Sequence, residues 1–150
     1  MNMHRIPLFF PLRRILGAGL LALAAAGAGA AELVVIVSAK SPVTALRADQ
    51  VADIFLGQSA RYPDGAEAVA LDLGVGSPLR DEFYLKVASK TPPLVKAYWT
   101  KMIFTGRGQP PREVASNAAM RKRVADDPNL IGYIDKSALD ASVKPVLVLR

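Results

Sequence analysis

Apolar positions along the chain fall into two alternating rhythms. From Leu33 to Ser38 the residues are an almost unbroken run of Leu, Val and Ile, the pattern of a strand buried on both faces. After a loop containing Ser41 and Pro42, Val51, Ile54 and Phe55 recur at helical spacing over residues 48–56, and Gly57 stands where a C-terminal cap belongs. Tyr62, Pro63, Asp64 and Gly65 read as a turn. Residues 68–73 form a second strand candidate, followed by a Gly-containing loop over 74–76. Ser77 has the place of an N-cap, with Pro78 at the first helical position and Asp81 and Glu82 in the first turn, so a helix runs from here to about Ala88.

Thr91 and Pro92 repeat that start signal. Leu94, Ala97, Tyr98, Met102 and Ile103 then form one apolar stripe down a helix ending near Thr105 and Gly106, with Tyr98 and Trp99 expected in the core. Residues 106–111 are loop, and Ser116 caps a helix to about Asp126. Asp127, Pro128 and Asn129 turn the chain into a short strand over 131–134, and residues 143–149 supply the last strand. Strands alternating with helices predict an α/β domain with a mainly parallel sheet flanked by helices.

The N-terminal segment follows a different logic. His4, Arg5, Arg13 and Arg14 make it basic, and no acidic residue precedes Glu32. Residues 15–25 are apolar and rich in Leu and Ala, and Ala28, Gly29 and Ala30 give the small-x-small pattern of a cleavage site. The segment therefore reads as a signal peptide, residues 1–30, which would direct residues 31–150 to the periplasm as one domain. An uncleaved anchor is the competing reading, because the uncharged stretch approaches the roughly 18 residues a spanning helix needs. Its Gly and Ala content from Ala24 onward is poor for a helix that stays in lipid.

Cleavage changes the charge balance. Three of 19 basic residues leave and all 13 acidic ones stay, so the net charge falls from +6 to +3. The remaining basic residues are scattered apart from Arg121, Lys122 and Arg123, which read as a solvated helix face and not as a nucleic-acid stripe. The chain has no Cys, and its one His, His4, lies in the segment to be removed. Disulfides, His or Cys metal sites and Ser–His or Cys–His catalysis are thereby excluded from residues 31–150. Ser77 and Arg80 have the spacing of a Ser-x-x-Lys pair, but Arg stays protonated and cannot act as base. Gly106, Arg107 and Gly108 lack the ending of a P-loop. No enzyme and no cofactor are indicated.

Several phrases also resemble a known family. The stretch from Leu46 to Gly65, with Gln50, Asp53, Ile54, Phe55 and Gly57, is similar to the second lobe of phosphate-type periplasmic solute-binding proteins of ABC transporters. Gly76, Ser77 and Phe83, then Tyr98 to Gly106 (YWTKMIFTG), then Pro128, Ile131, Gly132 and Tyr133 follow in the same order. The resemblance covers residues 33–149 and is closest to a short, single-lobe form of the phosphate ABC transporter substrate-binding family. It implies a type II binding-protein lobe in which a loop and helix N-terminus around a Ser-Gly-Thr turn hold a tetrahedral oxyanion. On this chain that site falls on Gly76, Ser77, Leu79 and Arg80. Orphan amides and the positive end of a helix dipole would converge at Ser77, with Arg80 one turn on.

Two readings of that turn stay open, because Ser77 can equally be a cap and Arg80 a surface charge. The chain also departs from the family pattern. Pro78 and Leu79 replace the usual Gly and Thr, and Leu73 stands where an Arg is expected. The resemblance covers only the second lobe, which implies weak phosphate binding or a homodimer that rebuilds the cleft. Phe104, Arg107, Pro110 and Pro111 form a candidate rim for a partner such as an ABC transporter permease or another envelope protein. The alternative function is accordingly a periplasmic interaction or sensor module that kept the fold without ligand. The export reading predicts that the protein recovered from the periplasm of a Gram-negative host begins at Ala31. N-terminal sequencing checks this, and an intact Met1 start in the membrane fraction would overturn it.

Overall fold

The computed structural model describes residues 32–150, so the proposed signal peptide and the Ala31 start lie outside the described residues. Ten elements follow in order: β1 (Leu33–Ser38), α1 (Ala48–Phe55), β2 (Val69–Leu73), α2 (Pro78–Ala88), α3 (Pro92–Phe104), β3 (Arg112–Val114), α4 (Asn117–Asp126), β4 (Leu130–Asp135), a 3-10 turn (Lys136–Ala138) and β5 (Val143–Leu149). Among the described residues no helix is long and apolar enough to cross a membrane.

The strands form one sheet in the order β3-β2-β4-β1-β5. β2 runs parallel to β3 and β4, whereas β1 is antiparallel to β4 and β5. Four strands therefore share a direction and β1 opposes them. β1 lies between two strands and is buried along its whole length, which is what its unbroken apolar run requires.

Helices cover both faces, and β4 shows how the sequence assigns them. Successive residues of a strand point to opposite faces. At Gly132 the missing side chain leaves room for Met120 Sδ and Val124 Cγ2 of α4, which would collide with a Cβ there. At the next position Tyr133 faces the other layer and stacks on Phe83 of α2, with ring centroids 4.0 Å apart and planes at 4°. Phe55 of α1 meets Phe83 edge-on at 4.7 Å, so three aromatic rings from α1, α2 and β4 fill that layer.

α3 departs from its expected orientation. Val95 and Trp99 are buried and Tyr98 and Met102 half-buried, but Leu94, Ala97 and Ile103 are exposed. The indole decides the rotation. Trp99 packs where Gly57, at φ +71°, and Gly108 leave space, with Cη2 3.4 Å from the point a Gly57 Cβ would occupy. Tyr98 anchors the same face through its hydroxyl, which donates to the Leu56 carbonyl at 2.6 Å. The sequence pattern also gives no sign of β3, a three-residue strand with two charged residues behind paired prolines.

Candidate functional site

Asp72, near the end of β2, is almost fully buried and accepts four hydrogen bonds. The Tyr84 hydroxyl donates to it at 2.6 Å, the Arg80 Nε at 3.3 Å and the Leu73 N–H at 2.8 Å; the Tyr133 hydroxyl is the fourth donor. Burial pushes the Asp72 carboxyl above the ordinary carboxylate range, opposed by the donors from Tyr133, Tyr84, Arg80 and Leu73. Burial beside this carboxylate also holds both tyrosine hydroxyls in the neutral form far above their ordinary range. Arg80, itself buried, lies over the Tyr84 ring at 5.1 Å. Its charge is thus answered from within the protein.

This cluster fixes the start of α2 against the sheet. Ser77 caps the helix: its Oγ accepts from the Arg80 N–H at 3.4 Å, and its carbonyl accepts from the Asp81 N–H at 3.1 Å. Pro78 has no N–H to offer, so Leu79 carries the remaining amide donor of the first turn.

The neighbouring parallel strand ends the same way. After β3, Ser116 caps α4 by accepting from the Ala119 N–H at 3.1 Å, which leaves the Asn117 amide at the helix start. The two helix N-termini open into one cleft of about 650 Å³ lined by residues 73–75, Ser77, Leu79 and 113–117. A cleft at the carboxyl ends of adjacent parallel strands is the usual place for a ligand in an α/β fold. Both serine hydroxyls keep a hydrogen to donate. Glu113 is the cleft's only ionisable lining residue, and Asn117 Oδ1 is buried without a hydrogen-bond partner.

Of the four residues singled out in the sequence, Ser77 and Leu79 line this cleft, whereas Gly76 and Arg80 line an adjoining groove of about 690 Å³. Of the predicted rim, Pro110 lines the groove and Phe104 lies 91% exposed on the outer surface of α3. Arg107 is exposed and Pro111 half-buried, and neither lines a described cavity. Ser116 and Asn117 also line the cleft and are not among the residues the resemblance implies. Ser116 carried the cap signal, but without β3 nothing in the sequence placed it beside Ser77. Among the described residues no cluster of His, Cys, Asp or Glu could hold a metal ion.

The architecture is an α/β fold matching one lobe of a periplasmic solute-binding protein. Its structural neighbours are phosphate-type substrate-binding proteins. A Clostridium perfringens protein described as a phosphate ABC transporter substrate-binding protein, solved with bound phosphate, shares 26% identity at a TM-score of 0.60, over 77% of this chain and 45% of its own. An ABC-type phosphate transport receptor from Vibrio cholerae shares 20% identity at 0.61, over 77% and 46%. PstS from Borrelia burgdorferi shares 17% at 0.55, over 79% and 47%. The chain thus spans about half the length of these proteins. No protein-family model and no curated protein sequence matches it.

The Asp72 cluster gives stability a defined pH dependence. Unfolded tyrosines lose their protons near pH 10, while Tyr84 and Tyr133 in the fold keep theirs. Above about pH 10 the folded state binds more protons at these tyrosines than the unfolded one, so stability falls as pH rises further. Urea denaturation followed across pH 7–11 is expected to show this fall. Tyr133→Phe should make it shallower, since Tyr84 and the buried Tyr62 still hold their protons, and cost about 1.5–3 kcal/mol at neutral pH through the lost bond to the carboxylate. A wild-type profile that stays level above pH 10 would contradict the assignment.

Proposed function

We propose that this chain is an exported, non-enzymatic solute-binding protein whose cleft between the starts of α2 and α4 takes phosphate or a similar oxyanion weakly. The observation that carries the reading is the convergence of two capped helix N-termini on one cleft, in a fold shared with proteins of phosphate transport. In this reading Gly76 permits the turn at φ +90°, while Ser77 and Leu79 donate from α2 and Ser116 and Asn117 from α4. Arg80, held by Asp72, fixes the turn and is not a direct ligand.

The charge balance sets affinity and selectivity. With no free cation among the lining residues, each contact is a neutral donor worth about 0.5–1.5 kcal/mol net. A Kd on the order of 1 mM, about 4 kcal/mol, is the scale this supports. Glu113 repels a dianion, but it and Asn117 Oδ1 are acceptors that a ligand hydroxyl can satisfy. Phosphate carries such a hydrogen at neutral pH and sulfate does not, so the cleft favours phosphate.

Calorimetric titration with both anions tests this. Phosphate should bind near millimolar concentration and more tightly than sulfate. Glu113→Gln should narrow the gap by about threefold, chiefly by improving sulfate. Ser77→Ala should weaken phosphate binding as well as cost about 1 kcal/mol of stability from the lost cap. No heat from the wild type at millimolar phosphate would remove the oxyanion reading and leave the interaction module in its place.

A further inference from the structure

The groove beside the cleft has a chemistry of its own. It runs between the loop before α2 and the inner side of α3, and its apolar lining includes Val75, Val95, Trp99, Ile103 and Pro110. Val75 is 80% exposed and Ile103 47%, so much of this apolar surface meets water. Trp99 is 95% buried, yet its indole Nε1–H has no hydrogen-bond partner. A buried indole N–H ordinarily finds an acceptor, and leaving it unsatisfied is costly.

Charge is distributed unevenly along the groove. Its lining carries two carboxylates, Asp81 in the first turn of α2 and Glu113, which is shared with the cleft, whereas α3 contributes Lys96. Pro93, Lys96 and Thr100 are shared with the outer surface of α3, where Ala97, Lys101 and Phe104 continue the same helical stripe. From Phe83 to Arg112 the sequence has no acidic residue. Lys90, Lys96, Lys101, Arg107 and Arg112 fall in that run, and none of them forms an ion pair among the described residues. One end of the groove therefore opens onto an unneutralised basic and apolar strip.

We propose that this groove docks an acidic segment of a partner protein, one bulky apolar side chain filling the groove while its carboxylates lie over Lys96 and Lys101. Asp81 and Glu113 repel the segment's carboxylates from within the groove and Lys96 and Lys101 attract them outside it, which gives the segment one direction. A concave groove selects a protruding side chain, which a flat lipid surface does not offer. The proposal is independent of what the cleft binds.

Random dodecapeptides displayed on phage and selected on the purified protein test it, with the single Trp99 as fluorescent reporter. Selection is expected to enrich peptides with an aromatic or large aliphatic residue flanked by Asp or Glu. Synthetic copies should shift Trp99 emission, and Lys96→Glu with Lys101→Glu should weaken them about tenfold without loss of fold, since both residues are exposed. Basic or uncharged peptides winning the selection, or acidic ones that leave Trp99 emission unmoved, would overturn the proposal. Binding confined to vesicles of phosphatidylethanolamine and phosphatidylglycerol would overturn it too, in favour of a membrane surface.

Discussion

A carboxylate buried at the end of a sheet strand must be answered by donors, and the answer given to Asp72 organises one end of this domain. Two of its donors, Arg80 and Tyr84, come from α2, one comes from Tyr133 on β4, and one is the backbone of Leu73. Removing the carboxylate would leave Arg80 buried without a counter-charge, a loss of the kind that costs about 3–5 kcal/mol. The same bonds lock α2 onto the sheet one turn from its N-terminus. Position of the cleft and burial of the charge are a single arrangement.

This arrangement divides the work between side chains and backbone. Arg80 bonds Asp72 through Nε, and the lining of the cleft itself carries backbone amides, two serine hydroxyls and one carboxylate. Lys96 and Lys101, which form no ion pair among the described residues, sit instead along α3, beside an apolar groove. Two surfaces of different chemistry thus adjoin through Val75 and Glu113. One suits a small polar ligand and the other a larger amphipathic one.

Much of the fold was legible because the elements carry local signals. β1 and β5 have the boundaries their apolar runs predict, and Ser77 with Pro78 starts α2 where the cap chemistry demands. What failed was non-local. β3 has no apolar run because it is an edge strand of three residues, and without it the two serine caps cannot be seen to share a cleft. The pairing of Arg80 with Asp72 is equally invisible in the sequence, because the two lie eight residues apart on different elements and only the packing of α2 brings them within 3.3 Å. The rotation of α3 depends on the space left by Gly57 and Gly108 for one indole, a fit that no periodicity encodes.

The central claim is that ligand is received by backbone groups at two helix starts while Arg80 stays with Asp72. Amide and arginine-side-chain NMR spectra recorded during a phosphate titration test this most directly. The largest shifts are expected at Leu79 and Asn117, with the Arg80 Nε–H resonance unmoved. A titration in which the Arg80 resonance shifts most and these two amides stay in place would contradict it.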